Sequence, residues 1–178
     1  MSKYKSYIDP NHCYFVTTSL INRGFKFLQQ DCYAAVILDS LNFLRQNQKL
    51  YVFAFVVMPN HLHILIKPRS PHNVSQIMHS FKRFTSGEIK KTLKGENYNV
   101  WRQFQNFGGA LWQEGFLDEN IYSEKLFLEK VEYIHNNPVA KNWRLVDNRA
   151  DYRYSSACYY DRSEKPIIEI DDFCRVLM

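Results

Sequence analysis

The chain has 178 residues, enough for one domain to bury its own core without disulfides or a structural metal. Hydrophobic residues make up 46% of it, which argues against a disordered chain, and no apolar run approaches the ~18 residues of a membrane helix. A formal net charge of +5 with 12 Tyr, 13 Phe and 3 Trp suits a nucleic-acid partner, because cations meet phosphates and flat rings stack on unpaired bases, although composition alone does not select that partner.

The N-terminal MSKYKSYIDP lacks the apolar core of a secretory signal. Cys13, Cys32, Cys158 and Cys174 form no C-x-x-C pair, so a reducing cytoplasm is the expected setting. CYFVTTSL (13–20) is β-branched and aromatic and predicts a strand. Residues 31–46 place Ala34, Ile37, Leu38, Leu41 and Leu44 at helical spacing. LYVFAFVVM (50–58) is a continuous apolar run, as in a central strand, and Pro59-Asn60 breaks it. HLHILIK (61–67) then alternates, so the two runs predict an antiparallel hairpin.

A second helix is expected over about 73–93, with Val74, Ile77, Met78, Phe81, Phe84 and Ile89 apolar and Lys82, Arg83, Lys90 and Lys91 polar. The 94–112 segment, with KGENYN and FGG, reads as a mobile loop. A third helix runs from Ser123, an N-cap residue, to about Asn136, and Pro138 limits it. This order predicts an α+β fold with helices on one face of an antiparallel sheet.

Two stretches carry chemistry. In VVMPNHLHILIKP (56–68), His61 and His63 lie at i and i+2 on a strand, on the face opposite Leu62, Ile64 and Ile66. Both rings can reach one cation and leave most of its coordination sphere open. Spacing alone leaves open a surface pair with no ligand. It also leaves open a metal hydrolase, with Glu114, Asp118 or Glu119 as third ligand. In FLEKVEYIHNNP (127–138), Phe127, Val131 and Ile134 form an apolar stripe. Tyr133 lies off that stripe, and Asn137 follows one turn later on the same side. A phenol beside a metal ligand can act as a nucleophile; the alternative is an amphipathic tyrosine at the core margin.

VVMPNHLHILIKP, taken with LWQEGFLDENIYSEKLFLEKVEYIHNNPVAKNWRL (111–145), resembles the tyrosine transposases of the HUH superfamily. Within it the chain is most similar to the branch associated with repetitive extragenic palindromes. The matching blocks are F-x-x-M-P-N-H-x-H (Phe55 to His63), W-Q-x-x-F-x-D/E (Trp112 to Asp118) and Y-I-x-x-N-P (Tyr133 to Pro138), within a resemblance spanning about 13–156.

The resemblance implies a ferredoxin-like α+β domain that cuts and joins single-stranded DNA carrying a hairpin or palindromic element. It implies that His61 and His63 bind Mg2+ or Mn2+, that Asn137 completes the site (Gln in some relatives), and that Tyr133 is the nucleophile. The product would be a 5′-phosphotyrosine and a free 3′-hydroxyl, and the covalent bond would conserve the phosphodiester energy. No nucleotide cofactor is then needed, in keeping with the lack of a Walker-type loop in the sequence.

Lys82 and Arg83 are candidates to hold phosphates, and Trp112 and Phe116 to stack on bases, with core packing the alternative for each ring. The family contains both monomers and homodimers with shared sites, so either is open here. The expected organisation is one transposase domain over 1–178, its tail 157–178 carrying no motif, in a prokaryotic cytoplasm at the nucleoid. A DNA-binding descendant without catalysis is a further alternative, opposed by the presence of the histidines, tyrosine and asparagine.

Overall fold

The Pro59-Asn60 break closes the expected hairpin: β2 (Leu50–Met58) and β3 (His61–Pro68) run antiparallel with Met58 opposite His61. The structure, a computed structural model, describes residues 12–177, so MSKYKSYIDP lies outside the described residues. β3 pairs on its other side with β1 (Cys13–Ser19), and β1 pairs with β4 (Leu117–Ile121). The order β2-β3-β1-β4 is antiparallel throughout. With α1 (Asp31–Gln46) joining β1 to β2 and α2 (Val74–Glu96) between β3 and β4, this is the ferredoxin-like α+β architecture.

Alternation along β3 sorts the two faces. Leu62, Ile64 and Ile66 are fully buried, as is Val16 on β1. α1 and α2 pack on each other and on β2 and β3, and cover that face with Ile37, Leu41, Ile77 and Phe81. This pair supplies two of the three helices expected on one face, and the third packs on the opposite one. α4 (Glu124–Asn136) lies over the other face, because its stripe of Phe127, Val131 and Ile134 needs an apolar bed. Phe127 meets Phe53 at 5.6 Å between ring centroids, and Tyr133 meets Phe15.

The 94–112 segment is ordered, contrary to the loop expectation. α2 runs on to Glu96, and α3 (Tyr98–Gln105) starts at once, its N-cap Asn97 side chain accepting from the Val100 amide at 3.2 Å. Phe104 is fully buried and meets Phe25 at 4.4 Å and Phe27 at 6.0 Å. Gly108 and Gly109, at φ +64° and +70°, then turn the chain where a Cβ would be strained. Leu111 and Trp112 return to the core, with Trp112 bridged to Leu20. Polar composition hid a helix anchored by the buried Phe104, with Val100 and Trp101 packed at the core margin. Phe104→Ala is therefore expected to destabilise the fold by about 3–5 kcal/mol, read as a lower urea midpoint. A loss below about 1 kcal/mol would mean that the segment is only loosely attached.

β2 is an edge strand rather than a central one, and its outer edge is covered by the chain after α4. The Val57 amide donates to the Tyr154 carbonyl at 2.9 Å, and the Ser156 amide to the Phe55 carbonyl at 3.1 Å. The Asp171 carboxylate accepts from the Val52 amide and from Arg45 Nε, each at 2.9 Å. The segment described as a tail thus belongs to the same core: α5 (Ala157–Arg162) follows Ser156, and on α6 (Phe173–Leu177) Phe173 stacks on Phe127 at 3.6 Å. A buried edge needs apolar residues as much as a central strand does, so the sequence pattern could not separate the two.

Candidate active site

The first three residues of β3 carry the histidines of the site. His61 and His63 share a face, with ring centroids 4.7 Å apart and planes at 76°. Each ring is held from behind through Nδ1. Asn60 Nδ2 donates to the Arg23 carbonyl at 2.5 Å, which turns Asn60 Oδ1 toward His61 Nδ1 at 2.7 Å. Since that oxygen only accepts, His61 carries its proton on Nδ1, and Nε2 keeps a lone pair. His63 Nδ1 shares a 2.7 Å hydrogen bond with Oγ1 of Thr17, its cross-strand partner on β1.

Burial sets the charge state. Desolvation pushes His61 down to about 4, against a hydrogen bond with Asn137 that raises it, and with Arg23 lowering it further. Desolvation likewise pushes His63 down to about 3, helped by neighbouring His61 and opposed by Asn137. Both imidazoles are therefore neutral at pH 7, the form in which they can ligate a metal.

α4 brings the other two residues. Ser123 caps it, Oγ accepting from the Leu126 amide at 3.2 Å. With Phe127, Val131 and Ile134 buried, Tyr133 is left 52% exposed. Its ring stands 5.2 Å from His63 and 5.6 Å from Phe15. Asn137 Nδ2 donates to the Tyr133 carbonyl at 2.7 Å, while its side chain is within hydrogen-bonding reach of both histidines. One chain thus places two neutral imidazoles, an amide oxygen and an exposed phenol around one cavity of about 860 Å³.

This donor set fits a hard divalent ion that keeps open positions, with the His61 Nε2 lone pair, that of His63 when its Nδ1 donates to Thr17 Oγ1, and one amide oxygen. Among the described residues no group of three His, Cys, Asp or Glu stands close enough to hold a metal. The hydrolase alternative required such a third ligand.

Two supports escaped the sequence reading. His135, in the last turn of α4, is fully buried, its Nε2 hydrogen-bonded at 2.8 Å to Ser156 Oγ, which accepts from the Phe55 amide. Arg149 pairs with Glu132 at 2.5 Å and Asp161 at 2.8 Å, which fastens the C-terminal end of the tyrosine helix. Their partners are distant in sequence, so nothing local marked them.

Lys82, Arg83, Trp112 and Phe116 are brought together, but around a separate groove of about 340 Å³ between α2 and residues 110–116. Two of the four have structural roles. Trp112 is 5% exposed, and its Nε1 donates to Thr85 Oγ1 at 3.0 Å. Lys82 Nζ donates to the carbonyls of Gln113 and Gly115, and burial lowers its pKa. Arg83 is exposed and Phe116 half-buried.

This is the fold of the tyrosine transposases. A REP-associated tyrosine transposase, solved bound to a REP hairpin, superimposes over 97% of this chain and 93% of its own with a TM-score of 0.69 at 22% identity. Residues 11–137 match the family described as transposase IS200 like, and the chain belongs to that family. An uncharacterised protein of Haemophilus influenzae is 30% identical over 95 residues, 48% of this chain and 52% of that protein. The chain thus spans about half the length of this curated relative. No helix among the described residues is long and apolar enough to cross a membrane.

Proposed function

We propose that the chain nicks and rejoins single-stranded DNA through a 5′-phosphotyrosine on Tyr133. The observation that carries this reading is the apposition of Tyr133 to His63 at 5.2 Å within one chain, with Asn137 bridging helix and histidines. His61 Nε2, His63 Nε2 and the Asn137 amide oxygen would hold Mg2+ or Mn2+. The ion would supply Lewis-acid polarisation of the scissile phosphate.

Tyr133 Oη attacks phosphorus, the bond to the 3′-oxygen breaks, and the phenolic proton passes to solvent while the released 3′-oxygen takes one up. Rejoining runs the same step backwards: a 3′-hydroxyl attacks the phosphotyrosine and the phenol is restored. Since all four residues come from one chain, no second subunit is needed to complete the site. The substrate is single-stranded DNA with a hairpin or palindromic element, a class supported by the hairpin bound to the structural relative. Acting on such a substrate, the protein would work at the nucleoid of the cytoplasm.

The test is incubation of labelled hairpin DNA with the protein and Mn2+, followed by a denaturing gel. A protein–DNA adduct supports the reading. Cleavage with no adduct would favour attack by water.

In the second groove, Arg83 is the residue left to meet a phosphate, with Phe116 beside it for a base. Arg83→Ala is expected to weaken binding to all sequences alike and to reduce the salt slope by about one. Lys82→Ala is expected to act differently, by lowering thermal stability through two carbonyls left without their donor. An unchanged slope in Arg83→Ala would place the DNA elsewhere.

A further inference from the structure

We propose that Trp143 is the stacking platform for the base immediately 5′ of the cut, the nucleotide whose 3′-hydroxyl is released and must be held for rejoining. The inference rests on the strand-transfer reading above and adds a substrate-positioning residue to it.

The rings of the site form a row. Phe15 lies 5.4 Å from His63, His63 lies 4.7 Å from His61, and His61 lies 5.7 Å from Trp143. Tyr133 stands at one end of this row, against Phe15 and His63. Trp143 stands at the other end, with the histidine pair between. In an in-line displacement the attacking and leaving oxygens lie on opposite sides of phosphorus. A phosphate over the histidines, attacked from the Tyr133 end, therefore expels its 3′-oxygen toward Trp143. The base on that sugar arrives beside the indole.

The surroundings of Trp143 fit this role. The indole is half-buried and lines the same cavity as Tyr133, so part of it is open to a ligand. Its backbone is fixed by a tight turn: the Trp143 amide donates to the Ala140 carbonyl at 2.8 Å, and the Leu145 amide to the Pro138 carbonyl at 2.8 Å. The turn begins at the end of the tyrosine helix, so platform and nucleophile move together. Lys26 Nζ lies 5.5 Å from the indole centroid, and Arg23 lines the cavity. These cations can hold the strand phosphates at that end. At the Phe15 end Glu119 is paired with Lys130 at 2.6 Å. A flat ring flanked by cations favours a base over a purely polar ligand, and favours it without sequence preference.

The experiment uses wild type, Trp143→Ala and Trp143→Phe with single-stranded hairpin DNA in Mn2+, the cut being mapped from the adduct. Each protein is given intact DNA, DNA abasic at the nucleotide 5′ of the cut, and DNA abasic at the nucleotide 3′ of it. Wild type should lose on the order of tenfold in adduct rate with the 5′ abasic strand. Trp143→Ala should lose a similar factor on intact DNA and nothing further on the 5′ abasic strand, while Trp143→Phe stays near wild type. A 2-aminopurine at the same nucleotide should be quenched by wild type and not by Trp143→Ala. Partial unfolding would lower every rate alike, so coupling to one nucleotide separates stacking from structure. Equal abasic penalties in wild type and Trp143→Ala would overturn the inference and leave the adduct chemistry standing. Coupling to the 3′ abasic strand would also overturn it. Wild type forming no adduct at all would remove the strand-transfer reading, and the inference with it.

Discussion

Tyr133→Phe is expected to fold, to bind hairpin DNA as wild type does, and to form no covalent adduct, with cleavage reduced by about a thousandfold or more. The substitution removes one oxygen and keeps the ring that packs on Phe15 and His63. That oxygen contributes little to the fold, since the ring is half exposed and the helix is anchored by Phe127, Val131 and Ile134. Tyr152, Tyr154 and Tyr160 are poor substitutes. The first donates to the Val57 carbonyl, the second to Asp31 and the third to the Phe53 carbonyl, so their oxygens are held away from the histidines. A mixture of Tyr133→Phe and His63→Ala chains should stay inactive, because each chain's tyrosine faces its own histidine. Activity regained on mixing would show sites shared between subunits. An adduct formed by Tyr133→Phe alone would remove the nucleophile assignment.

The parts of this site that the sequence discloses are those governed by local geometry. Two residues apart on a strand means one face, so His61 and His63 were readable as a pair. Four residues apart on a helix means one side, so Tyr133 and Asn137 were too. That pair would have stayed one amphipathic tyrosine with a neighbouring amide without the resemblance, since no local rule brings α4 over β3. What orients the pair was hidden for a related reason. Thr17 reaches His63 through cross-strand register 46 residues away, and Asn60 gains its role by donating to the Arg23 carbonyl. Asn60 sat inside the quoted M-P-N-H block and was read only as a turn residue. Lys82 and Trp112 show the opposite case, Trp112 taking the core-packing alternative. A lysine on the polar side of a helix and a tryptophan in a basic chain suggest DNA, yet both close the groove wall from inside. The β2 edge and the α3 helix were missed because burial by distant chain leaves no periodic mark.

His61→Ala and His63→Ala are each expected to weaken Mn2+ binding by more than the 10–100-fold typical of losing an outer-shell partner, and to lose cleavage with it. Mn2+ affinity is measured directly, by electron paramagnetic resonance titration of the protein without DNA, so the result does not depend on turnover. Asn60→Ala is the graded control. It removes the acceptor that keeps the proton on His61 Nδ1 and frees the ring to rotate, and its cost should fall within 10–100-fold. Thr17→Val tests the same support behind His63. Hairpin binding should persist in all four variants, because the groove bearing Arg83 and Phe116 is lined by none of these residues. The ordering matters more than any single value. A ligand loss larger than an orienting loss, with binding spared, is what a metal site on β3 requires. Equal loss of DNA binding and cleavage in a folded His63→Ala would instead make the histidines part of the DNA-binding surface. Unchanged Mn2+ affinity would leave the pair without a metal role.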